Sequence, residues 1–285
     1  MNPQIKKVTY YIETHLEDEL QLNFLAKVAG YSPYHFCRIF KIHIGESALS
    51  YATRLKLERA VKEISQNKKS VIEIALDAGY QTPTGFLKAF KSRFGTTPTN
   101  YRQDNFIKSN KYKDIDMNIP EIVTREEVTV IFTRELGDYK KSSHTAWDKL
   151  TQKLTDVRKK FEKRPPQTPM NIGPDKGEAF GLCHDDPNVT DQANIRYEAA
   201  IAWNKEDILE LKKYDFEIKS IRGGKYAKVF YLGASNGEKS WYGLYAWVEK
   251  NGYICRDEPP FEKYLNCSIE TDIEKFEVEV HIPIE

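Results

Sequence analysis

Residues 71–102 read VIEIALDAGYQTPTGFLKAFKSRFGTTPTNYR, which predicts a short helix, a sharp turn and a second helix. Ile72, Ile74, Ala75 and Ala78 supply the apolar side of the first helix, and Gly79 permits a turn that a side chain would obstruct. Thr82 is placed to cap the second helix and Pro83 to be its first residue. Phe86, Phe90 and Phe94 then recur at helical spacing and are expected to pack inward, leaving Thr84, Lys88 and Lys91 on the opposite face. A short helix with a polar, cationic outer face is suited to a major groove.

The same pattern stands earlier in the chain. Leu25, Ala26, Ala29 and Gly30 mirror Ile74, Ala75, Ala78 and Gly79 at an offset of 49. Ser32, Pro33, Phe36, Phe40, Lys41 and Gly45 match Thr82, Pro83, Phe86, Phe90, Lys91 and Gly95 at an offset of 50. One helix-turn-helix unit is therefore duplicated. In the first copy Tyr34, Cys37, Arg38 and Lys41 share one helical face, and Arg38 is the best candidate for a bidentate contact to a guanine edge. Ahead of both copies, Ile5, Val8, Ile12 and Leu16 mark an opening helix. Between the copies, Leu57, Ala60, Val61 and Ile64 lie on one side of a long helix starting near Glu46 or Ser47. That helix would fix the distance between two reading heads, so DNA binding would require no dimer.

This pattern, over residues of about 4 to 106, resembles the DNA-binding domain of the AraC/XylS family of bacterial transcription regulators. Ile74 and Ala75, Gly79 and Tyr80, Phe86, Phe90 and Lys91, Gly95, Thr97 and Pro98, and Tyr101 and Arg102 carry the resemblance. It implies groove-facing positions at Tyr34, Cys37 and Arg38 in the first recognition helix and at Thr84, Gly85 and Lys88 in the second. Cys37 is a poor hydrogen-bonding reader and Gly85 has no side chain, so specificity is expected to lean on Arg38, Tyr34 and Lys88. Lys41, Lys91, Arg93 and Arg102 are read as phosphate contacts, the alternative being a solvated charged face.

Charge supports this division of labour. Residues 1–108 hold 16 Lys and Arg against 10 Asp and Glu, whereas the remainder holds 27 against 32. The first part is thus basic and the second acidic, although the whole chain of 285 residues carries only +1. The N-terminus MNPQIKKVTYYIE lacks a signal-peptide core and no apolar run approaches a membrane span, so a cytoplasmic protein without a membrane partner is expected. The four cysteines form no C-x-x-C pair and read as reduced thiols; no metal site or cofactor is expected.

The expected organisation is a double helix-turn-helix domain over 1–107, a linker over 108–118 and an α+β domain over 119–285. In the last, Val128, Val130 and Phe132 alternate with Thr129, Ile131 and Thr133 as a strand, and Ala146, Trp147, Leu150, Leu154, Val157 and Phe161 form an amphipathic helix ended by RPPQTP. Ala179–Cys183 and residues 195–203 read as strands, and 207–213 as a helical or turn segment. KSIRGGKYAKVFYLG then reads as a turn and a strand, followed by a helix through Trp241, Leu244, Tyr245 and Val248 and strands at 261–265 and 276–284. A strand-helix-strand-strand unit thus occurs twice, which places two helices on one sheet with a cleft near the pseudo-twofold axis.

IRGGKYA at 221–227, Gly233, the helix ending in Ala246, Trp247 and Val248, PFEKY at 260–264 and EVHIPI at 279–284 resemble the gyrase-inhibitor-like effector-binding domain. That domain also follows AraC-type DNA-binding domains in Rob-type regulators. The resemblance implies a site for hydrophobic, often cationic compounds, with Glu262 as cation partner and Trp147, Tyr139, Trp203, Tyr226 and Trp241 as wall residues. A carboxylate among aromatics suits a positively charged ligand with an aromatic body. Core packing is the alternative for each aromatic, and pairing to Lys263 or Lys225 the alternative for Glu262.

The function expected is a sequence-specific activator that binds promoter DNA, works with RNA polymerase and senses a small molecule. Two alternatives stay open: a small hydrolase in which Glu262 acts as base, and a protein-interaction module. No Ser-His-Asp or Cys-His constellation is visible, so no enzyme is expected.

Overall fold

A computed structural model describes residues 2–110, 117–160, 178–203, 212–266 and 272–285. The chain forms two compact units, Met1–Lys108 and Ser109–Glu285. Among the described residues no helix is long and apolar enough to cross a membrane.

The first unit holds α1 (Pro3–Thr14), α2 (Leu22–Ala29), α3 (Pro33–Ile44), α4 (Ala48–Gln66), α5 (Val71–Asp77), α6 (Pro83–Phe94) and α7 (Pro98–Asn110). The two copies fold by the same local devices. Gly30 and Gly79 adopt φ of 70° and 76°, the left-handed conformation that a side chain disfavours. The following amides close both turns alike, Tyr31 N donating to Ala26 O and Tyr80 N to Ala75 O, each at 3.0 Å. Ser32 and Thr82 then cap α3 and α6 by accepting from His35 N and Gly85 N. Ser70 and Glu73 form a reciprocal capping box at α5.

The apolar pattern packs largely as expected. Leu25, Ala26, Ala29, Phe36 and Phe40 are buried in the first copy, and Ile74, Ala75, Ala78, Phe86 and Phe90 in the second. Ile72 is the exception: it points outward with 58 % of its surface exposed, because a seven-residue helix has room for only one buried stripe. Along α4, Leu57, Ala60, Val61 and Ile64 are all buried.

A buried charge network also ties the copies together through α4. Arg93 on α6 meets Glu58 at 3.3 Å, Glu58 meets Arg54 at 3.2 Å, and Arg54 reaches Glu46 at 2.9 Å ahead of the α4 N-terminus. Burial works against the Arg54 charge, but Glu58 and Glu46 outweigh it and raise its pKa.

α7 runs to Asn110, past the expected linker start at 108, and residues 111–116 lie outside the described ones. The RPPQTP stretch, Phe161, the loop glycines Gly173 and Gly177, Cys267 and most of 207–213 also lie outside them.

In the second unit, β1 (Glu121–Arg125), β2 (Val128–Leu136), α8 (Tyr139–Lys160), β3 (Ala179–Cys183) and β4 (Arg196–Ala202) form one half. The other half comprises β5 (Glu217–Ile221), β6 (Gly224–Leu232), α9 (Gly237–Lys250), β7 (Phe261–Tyr264) and β8 (Glu277–Pro283). Each half therefore opens with a short strand, β1 or β5, ahead of the strand-helix-strand-strand pattern. The KSI expected in a turn belongs to β5. Both extra strands were hidden because β1 and β5 are short edge strands that carry charges.

All pairs in the eight-stranded sheet are antiparallel, in the order β1-β6-β8-β7-β3-β4-β2-β5. Exchanging each strand for its counterpart in the other half reverses this order, so a pseudo-twofold axis passes between β3 and β7. α8 packs on β2 and β4, and α9 on β6 and β8. The central pair β3–β7 thus floors a groove between the two helices. The far face curls around its own core of Phe132, Phe180, Leu182, Tyr226 and Phe261.

Candidate nucleic-acid interface and ligand groove

In the first unit, the faces expected to read DNA are open. Tyr34, Cys37, Arg38 and Lys41 on α3 and Thr84, Gly85, Lys88 and Lys91 on α6 are exposed. The Arg38 guanidinium lies over the Tyr34 ring, 4.6 Å from its centroid. Stacking on an aromatic face leaves its donor edge available while restricting its rotamers, which suits bidentate recognition. Gly85 has a local reason: its amide donates to Thr82 Oγ1, and a Cβ there would lie 3.2 Å from that oxygen.

Arg102 is a correction. Its Nε donates to Ile64 O at 3.3 Å and its Nη2 to Lys69 O at 2.7 Å. Those carbonyls end α4 and the loop before α5, so Arg102 is a tie within the fold. Arg93, paired with Glu58, is likewise engaged internally.

In the second unit, side-chain alternation along β7 sends Phe261 and Lys263 to the far face, where Lys263 pairs with Glu178 at 2.5 Å. Glu262 and Tyr264 turn toward the helices. Glu262 Oε1 accepts from Tyr231 OH at 2.7 Å and from Trp241 Nε1 at 2.9 Å, while Oε2 accepts from Tyr264 OH at 2.8 Å. Tyr264 OH lies 3.0 Å from Tyr197 OH, and Trp147 Nε1 donates to Tyr197 OH at 3.0 Å.

The proton directions in this chain follow from donor counting. Tyr264 gives its single proton to the carboxylate, so Tyr197 must donate to Tyr264 and accept from Trp147. Helix α8 is thereby linked to Glu262 through two tyrosines, and helix α9 directly through Trp241. Burial, reinforced by the Glu262 charge, pushes the Tyr197 and Tyr264 phenols above their ordinary range and keeps them as donors. The ion pairs among the described residues leave Glu262 out, so a carboxylate with three donors faces the groove without a cation.

Of the expected wall residues, Trp147, Trp241 and Tyr139 gather here. Tyr139 stacks edge-on against Tyr197 at 6.1 Å and bonds Asp185 through its hydroxyl. Trp203 and Tyr226 are not brought to Glu262. Trp203 packs against the same helix-side core as Trp147 and Tyr139, but just past the end of β4 opposite to Tyr197. Tyr226 is 2 % exposed on the far face, five residues from Tyr231 and hence on the other side of β6, with its hydroxyl donating to Arg222 O.

Three participants escaped sequence reading: Tyr197, Tyr231 and Gly181. Gly181 pairs with Glu262 across β3–β7, and a Cβ there would fall 2.4 Å from Tyr197 OH and 2.7 Å from Tyr264 OH. Its missing side chain is what lets the two hydroxyls meet. Among the described residues, no group of three or more His, Cys, Asp or Glu is arranged to hold a metal.

Two helix-turn-helix heads on a common spine, followed by a duplicated sheet with an aromatic carboxylate groove, define a DNA-binding regulator with a ligand-binding domain. Comparison with known proteins agrees. A helix-turn-helix domain model matches residues 25–104, and the model of the GyrI-like small molecule binding domain matches 119–285.

The chain is 36 % identical over 100 residues to the transposon Tn10 TetD protein of Escherichia coli, covering 35 % of this chain and 72 % of TetD. It is 29 % identical over 118 residues to the HTH-type transcriptional activator AarP of Providencia stuartii, covering 41 % of this chain and 84 % of AarP. To the transcriptional regulator Rob of Salmonella typhimurium it is 30 % identical over 101 residues, covering 35 % of each. The chain belongs to the AraC/Rob-type transcription regulators that carry a GyrI-like small molecule binding domain.

Proposed function

We propose that this chain is a one-component, ligand-responsive activator of the cytoplasm, with no catalytic activity. α3 and α6 read two successive major-groove segments from one protomer, through Arg38, Tyr34 and Lys88, with Thr84 beside them and Lys41 and Lys91 on phosphates. A lipophilic cation enters the groove over β3–β7 and neutralises Glu262 between Trp147 and Trp241. RNA polymerase is the partner that an activator requires.

The observation that carries the sensing reading is the Glu262 carboxylate, fixed by three donors and without a cation among the described residues. A half-buried carboxylate among aromatic side chains favours a cation with apolar bulk.

Random-duplex selection with the full chain tests the DNA side. A bipartite site with elements about one helical turn apart is expected, and loss of any consensus in wild type and in Arg38→Ala alike would refute it. Thermal stabilisation by a lipophilic cation, abolished in Glu262→Gln, tests the groove. Stabilisation that survives the substitution would move the ligand elsewhere.

A further inference from the structure

The acceptor count at Glu262 narrows the ligand further. An ionised carboxylate offers about four lone-pair positions, two on each oxygen. Tyr231 and Trp241 take both on Oε1, and Tyr264 takes one on Oε2. A single position, on Oε2, is left open. A guanidinium or amidinium docks as a fork that needs one acceptor on each oxygen, so it meets a saturated Oε1. A primary ammonium can share its three donors between Oε2 and the remaining lone pairs of the Tyr231 and Tyr264 hydroxyls, so the count does not exclude it. A tertiary ammonium brings one donor, and a quaternary ammonium brings none and is held by charge and aromatic faces.

We infer that the groove selects tertiary and quaternary ammonium compounds with an aromatic body and discriminates against amidinium and guanidinium compounds of the same body. This rests on the reading of Glu262 as the cation partner. Tyr231 and Trp241 become specificity-determining residues, because their bonds close Oε1 to a second donor. Tyr264 differs from them, since it bonds only Oε2.

The test is calorimetric titration of the full chain with benzyltrimethylammonium, protonated benzyldimethylamine and benzamidinium. The first two are expected to bind roughly tenfold more tightly than the last, about the effect of one unsatisfied donor. Tyr231→Phe keeps the ring and opens one position on Oε1, so benzamidinium gains several-fold relative to benzyltrimethylammonium; Trp241→Phe acts in the same direction. Tyr264→Phe opens a position on Oε2 alone and leaves the ratio near wild type. A loss of packing would weaken all probes together, whereas the selectivity ratio moves only if Oε1 occupancy sets it.

Equal affinities in wild type, or an unchanged ratio in both Tyr231→Phe and Trp241→Phe, overturns the inference while binding that still depends on Glu262 keeps the cation site. Binding that is absent, or indifferent to Glu262→Gln, removes the cation site and the inference with it.

Discussion

Glu58→Ala is the substitution whose consequence follows most directly from the first unit's structure. The Glu58 and Arg54 side chains are only 8 % and 7 % exposed, and Glu58 also receives Arg93. Removing one partner of a buried pair costs about 3–5 kcal/mol, since the remaining charge is left desolvated. Arg54 keeps Glu46, itself 25 % exposed, so the low end applies, about 3 kcal/mol. For a unit of this size that lowers the thermal midpoint by roughly 12–24 °C.

The chain's composition supplies the assay. All four tryptophans, Trp147, Trp203, Trp241 and Trp247, belong to the second unit, so tryptophan fluorescence follows that unit alone. The far-ultraviolet helical signal is weighted toward the seven helices of the first. In Glu58→Ala the helical transition should fall while the fluorescence transition stays. Arg54→Met with Glu58→Met should restore much of the loss, because apolar replacement of both partners leaves no orphaned charge between them. A helical midpoint within a few degrees of wild type in the single variant would refute the reasoning. So would a double variant less stable than the single one.

Three further outcomes are expected. Gly181→Ala places a Cβ against Tyr197 OH and Tyr264 OH, so it should weaken cation binding in calorimetry and lower the fluorescence-detected midpoint, with no change in DNA affinity for free protein. Arg38→Ala should cost about 1–3 kcal/mol in specific DNA binding and relax sequence preference, whereas Arg102→Ala should lower the helical midpoint and leave the salt slope of DNA binding unchanged. Acid should destabilise the second unit in two stages. Burial, the largest effect on each, lowers the pKa of His184 and His281 below their ordinary 6.5, so the unfolded chain takes up protons first and stability falls as pH drops below about that value. Glu279, bonded by His281 and Lys228, is held at about 2 against an ordinary 4.5, and its stabilisation is lost as pH falls between those values. Midpoints measured by fluorescence across that range check both stages, and a midpoint that rises on acidification would contradict the sign.

Much of the fold was legible because it is repeated. Phe36 and Phe86, or Gly30 and Gly79, state one local rule twice, and the second statement fixes the first. Ile72 and Arg102 were misread because periodicity cannot say which stripe of a short helix meets a neighbour, nor that a guanidinium will end on carbonyls 33 and 38 residues away. Tyr226 was misplaced because face assignment requires strand order, and that order interleaves the halves; Trp203 is on the helix side but follows the end of β4 opposite to Tyr197. Even so, PFEKY carried the carboxylate and Tyr264 on one face of a strand. Tyr197 and Tyr231 arrive from β4 and β6, strands that are not neighbours of each other, so no local pattern unites them.

Duplication builds the groove, and departure from duplication gives it chemistry. The pseudo-twofold brings one tryptophan from each helix, Trp147 and Trp241, toward the central strand pair, but their indoles do different work. Trp241 bonds the carboxylate itself, whereas Trp147 reaches it only through Tyr197 and Tyr264. The asymmetry begins at the register pair Gly181 and Glu262: one half supplies an absent side chain, the other a charged one. A symmetric pair of carboxylates there would repel each other and raise one pKa, making charge depend on protonation. A glycine opposite a single glutamate leaves one carboxylate and enough space for the Tyr264 hydroxyl to bond it while meeting that of Tyr197. A change in ligand can therefore be transmitted to α8 and α9 together, since both helices hold the same carboxylate, one directly and one through the tyrosine chain.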